Sequence, residues 1–388
     1  MEKHTEDTYA GLDQEKTEKL SLAKQRFEDA CDHDAKANGE GHRASRYVHN
    51  TDGEGQWEED EIAYLKAAGR PVFSFNMIAT KVNTLLGMYA DAQRKPIVAA
   101  SGADHELLAE IIDTTKEQVL QDARYERVAA RQLKTGTIMG ECDVQVEVKP
   151  SAKGRGWIEV ALHRLLRSEV HWDPASIEPD RSDASHVFGD RWFCEQEFKA
   201  AYPDHADEWE SYARSGAGYD AQMDRVVSEA VGDGVGDGSQ WQASKYYFDR
   251  YKNRIRVIRY EYKDQVSAWY VSDEMGQRMQ IDEAQVPDVT LMLQMGVPIS
   301  VEETKEEVVR VCEFIGSTIL AEYDSAGPFD GFSFVPFCYA IDEETGCAYP
   351  QLVRNLLDPQ REFNKAQSLK IEHIAQATAP GTLAEKGA

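Results

Sequence analysis

The feature that most constrains the fold of this chain is a change of hydrophobic period near Gly136. Residues 105–135 carry apolar side chains at helical intervals of three and four positions. From residue 142 to residue 148 apolar and polar side chains alternate, and the alternation returns over residues 158–162 beyond a glycine-containing turn. This pattern predicts a long helix followed by a β-hairpin, and it places the chain in the α+β class.

A second helix is predicted between Pro71 and Pro96. Asn76 is its candidate N-cap, and Pro96 is its expected end. The polar side of this helix, which carries Lys81 and extends to Arg94, is expected to stay in solvent. The apolar stripe that would pack against the rest of the chain consists of Met77, Ile78, Val82, Leu85, Leu86 and Tyr89.

The two ends of the chain also predict helices. Residues 1–47 predict a charged helix, and the polar stretch at residues 32–42 is expected to break it. We therefore expect a peripheral arm. Near the other end, Asp358 is a candidate N-cap, with Pro359 in the first helical position. An apolar side, which includes Leu369 and Ile374, follows.

The N-terminal segment contains four side chains with the chemistry of metal ligands. They are Cys31, His33, Asp34 and His42. Their spacing matches no recognised ligand pattern, so a solvated loop is the favoured interpretation of this stretch.

A second group of candidate ligands consists of carboxylates, namely Asp173, Glu178, Asp180 and Asp183. Hard cations such as calcium and magnesium bind several carboxylate oxygens in a flexible loop. The spacing lacks the register of a calcium-binding loop, and prolines follow Asp173 and Glu178. Turns are therefore favoured over a metal site, and a carboxylate-based metal enzyme is the weaker alternative.

The chain is strongly acidic, with 43 basic and 69 acidic residues and a formal charge of -26. This balance argues against a protein that wraps nucleic acid over its general surface, although nucleic acid could still slide past it. No apolar run approaches the roughly 20 residues of a bilayer span, and the N-terminus has no signal-peptide pattern. We expect a cytosolic protein without membrane contact, whose six scattered cysteines are reduced thiols.

Residues 245–263 contain the only strongly basic cluster of the sequence, interleaved with tyrosines. Its members are Lys245, Arg250, Lys252, Arg254, Arg256 and Arg259. Nucleic-acid surfaces use such a mixture for phosphate pairing and base stacking. The favoured alternative is a strand face whose arginines pair with the surplus carboxylates or contact another protein. Two strands are predicted here, over residues 255–262 and 266–270.

The sequence lacks the motifs of the common catalytic centres. A nucleophile elbow, a zinc-protease helix, a phosphate-binding lysine loop and the kinase signatures are all missing, and the histidines are isolated. We therefore predict that the protein is not an enzyme and that it uses no cofactor.

Several short phrases stand in a characteristic order along the chain. They are Gly55-Gln56-Trp57, Arg70-Pro71, Asn76 to Gly87, Gln93 to Ile97, Trp172-Asp173-Pro174, Asp180 to Ala184, and Leu352 to Gln360 with Asn364 and Ser368. In this order they resemble the bacteriophage portal proteins of short-tailed phages, the large head-to-tail connector family. The resemblance extends over nearly the whole chain.

The resemblance implies a structural subunit of a ring, usually of twelve copies, at one capsid vertex of the virion. Double-stranded DNA would pass through the channel of the ring during packaging and ejection. The implied partners are the terminase large subunit, the major capsid and scaffolding proteins, and the tail adaptor proteins, with assembly in the host cytoplasm. The implied fold has a helical wing and stem, with small mixed β elements that include a clip.

These expectations divide the chain into four regions. They are an N-terminal helical arm at 1–50, a wing region at 51–240, a stem and clip-like region at 241–345, and a terminal helix at 346–388. Large members of the family continue beyond this helix, so we expect a truncated member. The predicted contacts with partners or nucleic acid are Arg250, Lys252, Arg254, Arg256, Arg259, Lys81 and Arg94. The alternative function is a nucleic-acid-binding module built on residues 245–263.

Overall fold

The computed structural model describes most of the chain between residues 2 and 377. The described residues are 2–50, 53–92, 97–100, 102, 105–150, 158–214, 218–219, 247–249, 252–273, 278–281, 285–287, 289, 291, 299–325 and 331–377. The predicted helix end at Pro96 and the basic residues Arg94, Lys245 and Arg250 lie outside them.

Helices and antiparallel strands share the described chain, and the predicted α+β class is confirmed. The helices are α1 (Glu2–His49), α2 (Glu59–Ala67), α3 (Met77–Ala92), α4 (Glu106–Asp122), α5 (Tyr125–Met139), α6 (Glu195–Ala201), α7 (Ala206–Arg214) and α8 (Gln351–Ala377). The strands are β1 (Glu141–Pro150), β2 (Ile158–Leu166), β3 (Val170–Trp172), β4 (His186–Phe193), β5 (Gly218–Tyr219), β6 (Phe248–Asp249), β7 (Arg254–Asp273), β8 (Arg278–Ile281), β9 (Ile299–Ile315), β10 (Thr318–Asp324) and β11 (Phe334–Cys338). None of the described helices combines the length and the apolarity that a bilayer span requires.

The predicted β-hairpin is present as β1 and β2, which pair in antiparallel register with Cys142 opposite Leu166. Strand β11 pairs with the other edge of β1 and completes a three-stranded sheet. The preceding helix runs slightly past the change of period and ends at Gly140, whose φ is 100°. A Cβ at Gly140 would lie 2.6 Å from the carbonyl oxygen of Ala348, so this turn requires glycine.

The larger sheet contains the antiparallel order β10-β9-β7-β4-β3. Two strands were expected over residues 255–270, but β7 is a single strand of 20 residues because β9 pairs with it continuously from Ile258 to Asp273. The first half of β7 carries buried residues such as Ile255 and Ile258. Beyond it, β7 and β9 form a ribbon with mostly exposed or half-exposed side chains.

Helix α1 is continuous, so the expected polar break at residues 32–42 is wrong. Small residues allow the helix to pack closely at this point. A Cβ on Gly41 would lie 2.7 Å from the carbonyl oxygen of Met139 in α5. Charged residues of the stretch pair with distant segments, since Asp34 lies 3.4 Å from Arg167 and Glu40 lies 3.3 Å from Arg354.

The expectation that this helix is a peripheral arm is also wrong. In its middle part, Leu20, Ala23, Phe27 and Ala30 pack against the larger sheet. In its second half, Ala44, Tyr47 and Val48 pack against α3, α5 and α8. Helix α1 is therefore a central element that joins the two main parts of the core.

The helix expected over residues 105–135 is two helices, α4 and α5. They are separated at Arg124, which has a left-handed backbone with φ of 53°. Helix α5 ends in the buried residues 136–139, whereas α4 buries no residue. The apolar pattern of residues 105–135 is thus divided between two helices, of which α5 reaches the core and α4 does not.

The start of α3 agrees with the sequence, because the amide of Ala79 donates to Asn76 Oδ1 at 3.0 Å. The predicted stripe is only partly buried. Ile78 and Val82 lie in the core, while Met77 is 51% exposed. Leu85, Leu86 and Tyr89 are half-buried, so the predicted packing face of α3 is only partly covered.

The start of α8 differs from the sequence prediction. The helix begins at Gln351, and Pro359 lies inside it instead of in its first turn. The additional turns are held by Val353, which is fully buried against Tyr47 and Ile138. This packing outweighs the cost of a proline within a helix, about 3 kcal/mol.

Candidate functional site

The predicted basic strand does not form one exposed patch. Arg256 is only 3% exposed and forms an ion pair with Asp190. Side chains at even and odd positions of a strand point to opposite faces of the sheet, so Arg259 lies on the other side. There Arg259 lies 2.8 Å from Glu261 and 3.4 Å from Glu313. Carboxylates within the sheet thus match the charge of both arginines.

A cavity of about 280 Å³ lies beside this strand. Arg254 and Arg259 line it together with the carboxylates of Glu169 and Asp190. Burial raises the pKa of Glu169 above its ordinary value. Because both arginines and carboxylates line the cavity, its wall does not present charges of a single sign.

Neither of the other described contact candidates lines this cavity. Lys81 on α3 and Lys252 before β7 are exposed, while Arg94 and Arg250 lie outside the described residues. Arg254 and Arg259 line the same cavity, but the structure does not bring the other described members of the set to it. A nucleic-acid-binding module on residues 245–263 gains no support from the part of this segment that the structure describes.

The carboxylates of residues 173–183 bind the surrounding backbone. Asp183 accepts hydrogen bonds from Ser176 Oγ at 2.6 Å and from the amide of Ile177 at 2.7 Å. Asp173 accepts from the amide of Ser185 at 3.0 Å. Although burial opposes the change, the hydrogen bonds from Ser176 and Ile177 lower the pKa of Asp183. These contacts favour turns over a cation site.

A buried ionic network joins α1, β1 and the segment of residues 167–181. Glu141 lies 3.2 Å from Arg181 Nη2 and 3.4 Å from Arg167 Nη1. Arg167, which is 1% exposed, also lies 3.4 Å from Asp34 and donates to the carbonyl oxygen of Ala348. Loss of one partner would leave another charge buried without compensation, so the network fixes how these segments meet.

The surroundings of the ionic network shift the pKa values of two carboxyl groups, Asp34 and the neighbouring Asp143, in opposite directions. Burial alone would raise the pKa of Asp34, but hydrogen bonds from His171 and His33 and the charge of Arg167 hold it below its ordinary value. By contrast, burial and the charge of Glu141 raise the pKa of Asp143 well above its ordinary value. The surroundings therefore favour the ionised form of Asp34 and the protonated form of Asp143.

A second buried network ties α8 to the start of α3. Asn364 donates to Gln56 Oε1 at 2.9 Å and accepts from the amide of Phe75 at 3.0 Å. Gln360 accepts from the amide of Met77 at 3.0 Å and donates to the carbonyl oxygen of Phe75 at 2.7 Å. The buried face of α8 is thus largely polar.

The apolar side that the sequence predicted for α8 is largely open instead. Leu369 is 47% exposed and Ile374 is 54% exposed. Leu369 lines a groove of about 400 Å³ with Trp57 and Tyr64 of the neighbouring segment. At these positions α8 therefore exposes the side that was predicted to be buried.

The short phrases that resemble portal proteins contribute residues to both buried networks. Gln56, Gln360 and Asn364 form the second network, and Arg181 belongs to the first. Trp172 donates to Asp143 at 3.0 Å beside it. Sequence order alone could not show that these residues meet, because each finds its partner in a distant segment.

The feature that sequence reasoning missed is the outward orientation of the apolar side of α4. The side of α4 that faces the chain is half-buried and consists of Ala109, Asp113, Lys116 and Leu120. The exposed apolar side chains are Leu107 (71%), Leu108 (54%), Ile111 (54%) and Ile112 (46%). The helical period identified this stripe, but it could not show that the described chain leaves it uncovered.

Comparison with protein families matches residues 24–388 to the family described as Phage P22-like portal protein. A search among curated proteins finds no match. The family match includes most of α1, both sheets and α8, and it confirms the resemblance of the short phrases. The chain therefore belongs to the P22-like family of phage portal proteins, which have a structural role as ring-forming subunits at the capsid vertex in DNA packaging.

Proposed function

We propose that this chain assembles through the outward face of α4 into a closed portal ring, usually of twelve copies in this family, that conducts double-stranded DNA during packaging and ejection. The observation that carries the proposal is the exposure of Leu107, Leu108, Ile111 and Ile112 on one face of a helix. Contiguous exposed apolar side chains mark sites of protein association, because contact removes them from water.

The inner face of α4 explains why this apolar side stays outward. Asp113 accepts a hydrogen bond from the amide of Val98 at 3.1 Å and from Lys116 Nζ at 2.5 Å. The contact between Asp113 and Lys116 lies within α4, but a rotation that buried Ile111 would break the hydrogen bond between Asp113 and Val98. This hydrogen bond favours the observed orientation of the helix, in which its apolar face is available to a second copy of the chain.

The charge of the chain suits a conduit for DNA. A formal charge of -26 per subunit repels the phosphate backbone. The described arginines of β7 are already paired with carboxylates. A ring of such subunits would let DNA slide without binding it tightly.

The finer parts of the proposal concern regions and partners. We assign the β-hairpin and the helices of residues 76–135 to the wing, and residues 245–340 to the stem and clip. The proposed partners are the terminase large subunit, the capsid and scaffolding proteins, and the tail adaptors. Exposed Lys81 and Lys252, with Arg94 and Arg250, are proposed contact positions for them.

The test compares assembly of the unaltered chain with that of a double variant, Leu108→Ser with Ile111→Ser. Sedimentation velocity and negative-stain imaging would be performed with and without scaffolding protein. We expect rings from the unaltered chain and a loss of rings from the double variant, with an unchanged circular dichroism spectrum. The matched control is Glu110→Ser, on an exposed position outside the apolar stripe, which should assemble normally.

Two results would contradict this proposal at different points. Rings from the double variant would remove α4 from the subunit contact while leaving the portal role intact. Monomers alone from the unaltered chain at high concentration, even with scaffolding or coat protein present, would show that this chain does not assemble as proposed.

A further inference from the structure

The middle of α1 and the loop between β11 and α8 bring three metal-ligand side chains together. His33 and Asp34 are neighbours in α1, and Cys347 approaches them from the loop. One ligand atom from each residue lies within 4.8 Å of the other two. The cluster therefore joins segments more than 300 residues apart in the sequence.

The distances within this cluster suit a tetrahedral metal ion. In a tetrahedral zinc site, bonds of about 2.0–2.3 Å place neighbouring ligand atoms roughly 3.3–3.5 Å apart. His33 Nδ1 lies 3.7 Å from Asp34 Oδ1 and 3.7 Å from Cys347 Sγ. A shift of a few tenths of an ångström would bring both pairs to the spacing of bound ligands.

The imidazole of His33 is oriented as a metal ligand would be. Its Nε2 lies 2.7 Å from the carbonyl oxygen of Thr345, which can only accept a hydrogen bond. Nε2 must therefore carry the proton in the neutral ring, and Nδ1 keeps its lone pair on the side of Asp34. Histidine ligands commonly donate their second N–H to such a carbonyl, which fixes the ring and its tautomer.

The loop holds Cys347 in place independently of any bound ion. The amide of Gly346 donates to the carbonyl oxygen of Asp342 at 2.7 Å, and the amide of Asp342 donates to that of Cys347 at 2.9 Å. Gly346 has φ of 68°, and a Cβ on it would lie 2.6 Å from the carbonyl oxygen of Ser176. The thiol is 3% exposed, so its position is imposed by the tight turn.

We propose that His33, Asp34 and Cys347 bind a divalent transition-metal ion of the zinc class, with the fourth position open to water. A thiolate and an imidazole select zinc-class ions over magnesium or calcium. The side chain of His33 is 26% exposed, which gives the ion a route from solvent. The bound ion clamps α1 to the loop that precedes α8.

The assignment differs from the ligand set that α1 suggested by itself. His33 and Asp34 belong to the cluster, whereas Cys31 packs into the core beside Phe27. The third ligand comes from Cys347, which no spacing pattern on α1 could have indicated.

The experiment uses the full chain after chelation and dialysis. Zn²⁺ is titrated in competition with a chromophoric chelator, and Co²⁺ is added separately to record its visible bands and the thiolate-to-cobalt charge-transfer band. We expect one ion per chain, a charge-transfer band, and a melting temperature raised by Zn²⁺. His33→Gln and Cys347→Ser should each weaken binding at least about tenfold, and Cys347→Ser should abolish the charge-transfer band.

The control is Cys194→Ser, which removes an exposed thiol on another element and should leave binding unchanged. If Cys347→Ser fails to fold, His33→Gln decides the question, because its side chain is partly exposed. Stoichiometric binding that survives His33→Gln, or a cobalt spectrum without thiolate character, would overturn the proposal. Binding lost in Cys194→Ser alone would assign the ion to an adventitious surface thiol, and this too would overturn it.

Discussion

Helices α1 and α4 have similar sequence patterns and opposite environments. Both carry apolar side chains at helical spacing among many charged residues. Helix α1 buries its stripe twice, first against the larger sheet and then against α3, α5 and α8. Helix α4 packs through Asp113 and Lys116 and leaves Leu108 and Ile111 in solvent.

The difference shows that a helical stripe identifies a surface that needs cover, but not the source of that cover. For α1 the cover lies within the same chain, since Phe188 and Ile258 of the larger sheet pack against its apolar stripe. For α4 the described chain provides none. In a family of ring-forming subunits, the proposed contact between copies would cover this surface.

The largest effect should follow from emptying the covered stripe. Phe27 is 2% exposed, and its ring packs edge-on against Phe188 at 5.2 Å and against His171 at 5.6 Å. Phe27→Ala leaves a cavity where α1 meets the sheet, so it should lower the free energy of unfolding by about 3–5 kcal/mol. Urea denaturation of the unassembled chain measures this change.

The matched change on α4 sharpens the same comparison. Ile111→Ala alters a side chain that is 54% exposed, so unfolding of the unassembled chain should change by less than about 0.5 kcal/mol. Equal losses in the two variants would contradict the contrast between the helices, because they would mean that α4 is also covered within one chain.

An effect smaller than that of Phe27→Ala is expected from a change on the polar face of α8. Asn364→Ala leaves Gln56 and the amide of Phe75 without their partner in a buried site, so it should cost about 1–3 kcal/mol. Asn355→Ala, on the exposed side of the same helix, is the matched control and should be nearly neutral. Similar denaturation midpoints for the two variants would show that the network contributes little.

Among the changes that remove a contact within the chain, the smallest effect is expected at the ionic contact between α1 and α2. Burial opposes ionisation of Glu58, but the nearby Arg46 and Arg43 lower its pKa below the ordinary value of 4.5. A lowered carboxyl pKa stabilises the fold above that value, and the contribution is lost as the pH falls through the folded pKa. Glu58→Gln should therefore cost about 1 kcal/mol or less at neutral pH, and less still in acid.

For Glu58, the informative measurement is the pH dependence of the difference in unfolding free energy between the unaltered chain and Glu58→Gln. Denaturation of both proteins from about pH 3 to pH 7 should show their stabilities converging at the acid end. A stability difference between the two proteins that stays constant over this range would mean that the charge of Glu58 does not contribute to stability. Its hydrogen bonds alone would then account for the contribution of this side chain.

Local sequence was sufficient for part of the fold and for little of the candidate site. The hairpin β1–β2 and the cap at Asn76 were predicted because alternation and capping are local properties. The continuity of α1 and the start of α8 were missed because both depend on tertiary partners, namely Arg167 for Asp34 and the core for Val353. The predicted contact role of the basic strand is untested, but Arg256 and Arg259 are paired inside the sheet.

The sequence by itself determined the α+β class, the helical stripes, the acidic character and the phrases that place the chain among portal proteins. These follow from the period of side chains along the backbone and from residue order, which need no knowledge of distant contacts. Only the tertiary structure decided which stripes are covered and which polar residues meet. Cys347 joins His33, Gln56 joins Asn364, and Ile111 remains outside, because burial and ionic pairing depend on segments that the chain brings together only when it folds.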